Sequence, residues 1–575
     1  MKIVVAKTAG FCMGVRRAVE MSLDASNNTS EPICSYGPLI HNPQVLRLLE
    51  EKGIFVVDRI PEKGNGTILI RAHGVPPETK ETLTRAGFTV IDATCPRVIK
   101  VQTIIRKHAV RGFAVIIIGD RDHPEVVGLL GYAGEKGHVV DSLEALNALP
   151  VFEQAIIVAQ TTQNTKFFEQ VKDWAARRHP QYRIFNTICD STDKRQAEVD
   201  RLSQTVDAMI VVGGYNSGNT QRLAEVARET GKPAYHIETE EDIDPKCLAS
   251  IRSVGITAGA STPNWIINRV FRRVESLAFE KERRRRRMLY PLQRLLLFSN
   301  LYIALGAGSL TYTATQLQNM GEQLLPLLIA CLYILSMHTF NHLTGRQSDR
   351  YNDPDRAAFY EDHHVALTLM AAAAGAAGLA IGFTMGPLPF FVLLAMSVLG
   401  GLYNVRIWSG WRSTRAFRSI KDIPGSKTVL IVLAWGIVTA LLPALSISGR
   451  MYPATVFALV WSAGMVFIRT AFFDILDMQG DRIVGRETIP LFLGEERTRT
   501  LLKYTAMGLA VILCAAVGLG FISSLGIVLG MIPAVMFGII LAHERGALAG
   551  GIRLAFLVES TFVLAGLLTL IWAAA

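Results

Sequence analysis

KERRRRR, Lys281 to Arg287, is the stretch on which the reading of this chain turns. Before it, short apolar runs alternate with polar segments. After it, apolar stretches of membrane-crossing length follow one another to Ala575. Five arginines at such a junction are costly to move across a bilayer and are expected to stay cytoplasmic. They are also attracted to anionic lipid headgroups. The division predicted is a mixed-charge region over 1–280, a basic junction over 281–289 and an apolar region over 290–575. A cytoplasmic first region would then be tied to the inner membrane of the cell by a multi-pass second one.

A chain of 575 residues is too long for one ordinary domain. Its net charge of +10 does not call for nucleic acid, because much of the excess sits in the junction and the loops between apolar stretches. No basic region is interleaved with aromatics, so no nucleic-acid partner is expected. The seven cysteines are scattered, and an odd number suits a reducing cytoplasm better than a disulfide framework. The opening MKIVVAKTAGFC has an apolar run too short for a secretory signal.

In the first region the strand candidates are 3–6, 67–70, 89–91, 114–118, 155–158, 183–185, 208–212 and 253–256. Several are continuous apolar runs, as parallel strands buried on both faces require. Segments such as 43–52 and 221–230 fit crossover helices, which makes the region α/β. The unusual polar residues come just after these strands: Cys12, His73, Cys95, His123, Glu125, Thr161, Thr162, Cys189, Ser217, Asn219 and Ser261. Ligands of parallel α/β sheets bind beyond the carboxyl ends of strands, so this coincidence predicts one shared site. Cys12, Cys95 and Cys189 share that context at similar spacings, which suggests three lobes that each offer one thiolate. Three thiolates suit an iron–sulfur cluster with one iron open, or an open zinc site; three buried structural thiols are the bland alternative. His41, His73 and His123 lie in loops beside Gly or Pro and suit a phosphate-bearing ligand. Glu125 is a candidate proton donor.

The motifs AGFCMGV, GPLIHN, RAHGV, DATCP, HPEVVG, QTT, NTICDST, NSGNT and TAGAST, in this order, resemble 4-hydroxy-3-methylbut-2-enyl diphosphate reductase over roughly residues 1–275. The resemblance implies three α/β lobes around one [4Fe–4S] cluster, with Cys12, Cys95 and Cys189 as its ligands. It implies that His41, His73, His123, Ser217, Asn219 and Ser261 hold a diphosphate, that Glu125 supplies the proton and that Thr161 and Thr162 stand beside it. Electrons would come from an external donor such as ferredoxin or flavodoxin. Reduction would yield isopentenyl and dimethylallyl diphosphate, the last step of the methylerythritol phosphate route to isoprenoids. The family commonly has a second serine where this chain has Gly218. The backbone N–H is kept and a hydroxyl is lost, so weaker diphosphate binding is the expected cost.

The second region reads as about nine membrane spans of ~20 residues each: 294–315, 324–343, 365–385, 388–405, 428–447, 453–473, 501–522, 524–542 and 554–574. Basic residues gather after every second span, as at Arg346, Arg350 and Arg356; Arg412, Arg415 and Lys421; Arg482, Arg486 and Arg497; and Arg545. That bias predicts an all-α membrane domain with its C-terminus outside. Asp474, Asp477 and Asp481 in DILDMQGDRIVGRETIP share a helical face, at a boundary where carboxylates are expensive unless they hold cations. Magnesium suits such ligands together with substrate phosphates.

This region resembles the UbiA-type intramembrane prenyltransferases. DILDMQGDRIVGRETIP matches their second aspartate motif, and Asn341, Asp349, Asn352, Pro354 and Arg356 align with the first. Two aspartates usual in that first motif are His342 and Gly345 here. The resemblance implies a magnesium-dependent transferase acting on a prenyl diphosphate, with Asn341, Asp349, Arg356, Lys421 and Lys427 as diphosphate-side candidates. It leaves open a second reading, in which a degenerate domain only anchors the reductase to the lipid bilayer.

Overall fold

A computed structural model of the chain describes residues 1–29, 31–280, 284–321, 323–345, 349, 351–402, 425–484, 488–546, 548 and 550–575. Lys281, Arg346, Arg350, Arg412, Arg415, Lys421 and Arg486 therefore lie outside the described residues. The chain divides into two compact units, Met1–Ala278 and Phe279–Ala575.

The first unit is α/β. Its strands form three four-stranded sheets, and every pairing is parallel. The sheets run Lys2–Val5, Ser253–Ala258, Ala208–Val212, Ala234–Ile237; then Ile54–Val57, Ile33–Tyr36, Thr67–Ile70, Thr89–Asp92; then Gly137–Val140, Ala114–Ile118, Ala155–Ala159, Arg183–Ile184. The fully apolar strands AVIII, AIIVA and AMIVV are buried along their whole length, because helices cover both faces of a parallel sheet. All eight expected strands are present, and Pro43–Glu51 and Gly218–Glu229 are crossover helices. Four strands were not expected. Ile54–Val57, Gly137–Val140 and Ala234–Ile237 are edge strands, only partly buried; a histidine interrupts the last two, whereas Ile54–Val57 is the apolar run IFVV. Ile33–Tyr36 is internal, but the buried Ser35 interrupts its ICSY.

The second unit is helical. Seven helices are long and apolar enough to cross a membrane among the described residues, or eight if a bent pair counts as one span. The bent pair, Tyr290–Phe298 and Leu301–Leu317, meets at 71° and falls on the first expected span. Its hinge is Asn300 in the left-handed region, φ 60°, a conformation that asparagine tolerates better than most residues. The Asn300 amide donates to Thr339 Oγ1 at 3.1 Å and to the Tyr360 hydroxyl at 2.7 Å, which holds the bend from inside. Pro387–Leu402, on the fourth expected span, is apolar but shorter than the rest. Side chains such as Leu369, Phe391, Val511 and Ile571 are well exposed, as a lipid-facing surface allows. The helix-to-helix faces use small residues, where bare glycines let backbones close up. Gly306 packs on Phe562 and Gly566 on Ser309.

Candidate active site

Three loops leaving the sheets of the first unit end on a cysteine that caps a helix. Cys12 caps Met13–Asn28, Cys95 caps Pro96–Ala109 and Cys189 caps Asp190–Thr205. The three follow Lys2–Val5, Thr89–Asp92 and Arg183–Ile184, so each sheet supplies one. A helix N-terminus presents unpaired N–H groups and partial positive charge, which favour a thiolate. The Val15 N–H already donates to Cys12 Sγ at 3.4 Å. All three thiols border one partly open cavity of about 730 Å³, solvent-facing space included. Every residue expected on the substrate side, from His41 to Ser261, borders it as well.

The cysteine wall fits a cluster. A Cβ on Gly14 would stand 2.5 Å from Cys95 Sγ, so only glycine leaves that thiol its place. Arginines brace the three loops: Arg17 donates to the Thr94 carbonyl, Arg97 pairs with Asp190, and Arg195 donates to the Gly10 carbonyl. Burial lowers the pKa of Arg195, and the nearby thiols of Cys12 and Cys189 push it back up. Burial raises the Cys95 thiol, against the N–H groups of Arg97 and Val98. Three thiols on a basic wall, with room beside them, suit a cluster whose fourth position is open.

The opposite wall is built of unsatisfied donors. The His41, His73 and His123 ring centres lie 4.9, 5.9 and 5.2 Å apart. Among the described residues, His41 Nε2, His73 Nδ1 and Asn219 Nδ2 are buried without a hydrogen-bond partner, which is costly unless a ligand completes them. The Glu125 N–H donates to His123 Nδ1 at 3.1 Å, so His123 carries its proton on Nε2. Burial lowers all three histidines, His73 well below the ordinary range and His123 to about 4. They are neutral at pH 7 until an anion arrives. Ser261 Oγ donates to the His41 carbonyl at 3.1 Å and lies 3.5 Å from Ser217 Oγ, so these residues form one cradle.

Glu125 lies 1% exposed, and burial pushes it up to about 7. Its carboxylate accepts from the Thr161 N–H and hydroxyl, both at 2.7 Å. Gln160 Nε2 donates to Thr162 Oγ1 at 2.9 Å.

Gly218 opens the helix Gly218–Glu229, and a Cβ there would meet nothing closer than 3.8 Å. Space does not require glycine at this position. Gly218→Ser should fold normally and lower the KM for substrate about two- to tenfold, the worth of one hydrogen bond. Steady-state kinetics of the two chains checks this.

In the second unit the expected residues also converge. His342 Nδ1 lies 2.7 Å from Asp349 Oδ2, and Arg356 Nη1 lies 3.1 Å from His342 Nε2. Lys427 Nζ donates to Asp474 Oδ1 at 2.9 Å and Thr428 to Asp474 Oδ2 at 2.8 Å. Asn352 Nδ2 donates to Asp481 Oδ1 at 3.0 Å. Asp477 lies one turn before Asp481 on the helix Pro453–Val484. Asp353 caps Pro354–Asp362 by accepting from the Arg356 N–H. Asn341 lies near the end of Leu324–Thr344, and its carbonyl accepts from the Gly345 N–H. His342 is engaged on both nitrogens and has no lone pair left for a magnesium ion, while Asp474 is paired with Lys427 and Thr428. Asp477 and Asp481 offer carboxylate oxygens of the kind such an ion takes.

Residues 3–275 match the LytB protein family. A 4-hydroxy-3-methylbut-2-enyl diphosphate reductase from Geotalea daltonii is 43% identical over 283 residues, which are 49% of this chain and 100% of that protein. The chain belongs to the LytB family. The corresponding reductase of Geobacter metallireducens is 45% identical over 277 residues, 48% of this chain and 98% of its own. Residues 300–549 form a UbiA prenyltransferase-family domain. A solved apo structure of a UbiA homolog from Aeropyrum pernix K1 is 13% identical, covers 48% of this chain and 99% of its own, and has a TM-score of 0.37.

Within the LytB domain, sequence reasoning missed the bracing arginines Arg17, Arg97 and Arg195, and Gly14 beside Cys95. A signal was available for two of them. Gly14 and Arg97 each lie two residues after an expected thiolate ligand, where a helix N-terminus must pack against neighbouring loops. Arg195 carries no such signal, because its partner is 185 residues away.

Proposed function

We propose that the chain is a bifunctional isoprenoid enzyme. Its LytB domain reduces 4-hydroxy-3-methylbut-2-enyl diphosphate to isopentenyl and dimethylallyl diphosphate. Its UbiA domain transfers a longer prenyl group to an acceptor within the membrane. The observation that carries the first half is the joining, in one cavity, of three helix-capping thiols, a wall of unsatisfied histidine and asparagine donors, and a buried carboxyl with a pKa near 7.

In this reading Cys12, Cys95 and Cys189 hold a [4Fe–4S] cluster. When bound, the cluster supplies two electrons, received from an external donor such as ferredoxin or flavodoxin, and a Lewis-acidic iron for the substrate oxygen. The chain's own residues do the rest. His41, His73, Ser217, Asn219 and Ser261 fix the diphosphate, and His123 donates from Nε2. Binding of that anion favours protonated imidazoles, so it takes up protons. Glu125 is nearly closed off from solvent and passes its proton through the Thr161 hydroxyl, which it already holds at 2.7 Å. The cytoplasm is the compartment of this domain, and the last helix ends outside the inner membrane; the basic loops and KERRRRR support that orientation.

The assay that tests the reductase is anaerobic. Full-length chain in nanodiscs, reduced by dithionite and a viologen, should convert the alcohol diphosphate to the two C5 products. No conversion with a fully loaded cluster would sink this reading.

The pairing of Asp474 with Lys427 and of Asp349 with His342 also favours a second reading, in which the UbiA domain binds prenyl lipid without transferring it. Asp481→Ala separates the two. If the domain is a transferase, membranes given labelled prenyl diphosphates and extracted lipids should lose transfer entirely in this variant while C5 product formation stays normal. No transfer in the parent chain, across chain lengths and acceptors, would leave the anchor reading standing.

A further inference from the structure

Around the polar end of the UbiA domain, cations of the protein stand against carboxylates. A guanidinium offers only donors, so Arg356 Nη1 donates to His342 Nε2 at 3.1 Å. The imidazole proton is therefore on Nδ1, and it goes to Asp349 Oδ2 at 2.7 Å. Both nitrogens of His342 are spent, and neither has a lone pair for a metal. Asp349 receives the proton end of this relay, which puts the positive charge of Arg356, through a neutral His342, where a carboxylate pair would gather a cation. Phe298 lies under the Arg356 guanidinium, 5.5 Å from ring centre to carbon, and fixes its plane. The buried Arg356 Nε makes no hydrogen bond among the described residues and stands 3.5 Å from Asp353 Oδ2 in an ion pair. A planar fork of this kind matches phosphate oxygens.

The other side of the site differs. Asp474 is 1% exposed and holds Lys427 and Thr428. Asp477 and Asp481, four residues apart, share a face of their helix. Asn352 approaches that face closely, since a Cβ on Gly480 would overlap Asn352 Oδ1. Its amide donates to Asp481 Oδ1 and orients that carboxylate.

We infer that this domain holds its lipid diphosphate with one divalent cation, at Asp477 and Asp481, and that Arg356, oriented by His342 and Asp349, takes the place of a second. The inference rests on the transferase reading of the domain. It turns the loss of two aspartates from a defect into an exchange, in which a fixed organic cation replaces a diffusible metal. Diphosphate binding would then depend on metal to the first power.

Counting bound manganese tests it. Full-length chain in nanodiscs is saturated with geranylgeranyl diphosphate and titrated with Mn²⁺, and free ion is read by electron paramagnetic resonance. Asp481→Ala supplies the background from the rest of the chain. One ion above background is expected for the parent chain, and two for His342→Asp combined with Gly345→Asp. Two ions in the parent overturn the inference and leave the transferase reading intact. No ion and no lipid binding overturn both. Arg356→Met should keep one ion and bind the lipid diphosphate about tenfold or more weakly, the loss of a charge-assisted hydrogen bond. Unchanged affinity in that variant would remove Arg356 from the site. Cluster content of the LytB domain reports in each case that the chain is folded.

Discussion

Cys12→Ser, Cys95→Ser and Cys189→Ser are each expected to lose the brown chromophore and all reductase activity while keeping the fold of the metal-free protein. The first loss follows from the ligand set. Three thiols from three sheets border one cavity, and a serine hydroxyl does not deprotonate to replace a soft thiolate on iron. The second expectation follows from the caps. Each cysteine is the N-cap of its helix, and serine is a preferred N-cap residue. Circular dichroism and thermal melting of the apo chains should therefore match the parent, with any change within about 1 kcal/mol. Iron content and anaerobic turnover check the first half. Full activity in any of the three would exclude that cysteine as a ligand. Cys34→Ser should be close to silent in both assays, since Cys34 lies within the strand Ile33–Tyr36 and does not border the cavity.

Glu125→Gln should bind substrate with little change and turn over about 10²- to 10⁴-fold more slowly, the usual worth of a positioned proton donor. The amide keeps the shape, its oxygen can accept from the Thr161 N–H while its NH2 donates to the Thr161 hydroxyl, and it has no acidic proton to deliver. The pH dependence of the parent chain has a definite sign. Burial raises the Glu125 carboxyl to about 7, so the proton is present below that pH and absent above it. Turnover should be flat on the acid side and fall about tenfold per unit above pH 7. The same shift makes Glu125 a group whose protonated form favours the folded state. That contribution is full below the unfolded value and is lost as pH rises through about 7. A rate independent of pH between 6 and 9, or near-normal turnover of the glutamine variant, would remove Glu125 from proton delivery.

The α/β class, the buried central strands such as Ala114–Ile118 and Ala208–Val212 and the helical membrane region were legible because burial on both faces writes itself as continuous apolar runs. Functional residues were legible because they interrupt those runs at one repeated place, just beyond a strand. Some strands at sheet edges escaped, such as Gly137–Val140, whose half-exposed GHVV carries no such run. The bend at Asn300 escaped too, because the apolar pattern runs through it and only a left-handed residue and its buried amide bonds reveal it.

By itself the sequence pointed to one site for three cysteines, His73, His123 and Glu125, since strand-end position is a local property, while His41 joined them through the resemblance of GPLIHN. It also determined that the first aspartate motif is altered, since His342 and Gly345 can be read directly. Only the tertiary structure decided what these residues face. Burial brings the Glu125 pKa to about 7, and that burial is made by residues far along the chain, Thr161 among them. The altered motif became an Arg356–His342–Asp349 relay only in the folded structure, where groups 14 and 7 residues apart lie within hydrogen-bond reach. Hydrogen bonds are short and directional, so which partner a polar side chain takes is settled by distances that exist only after folding.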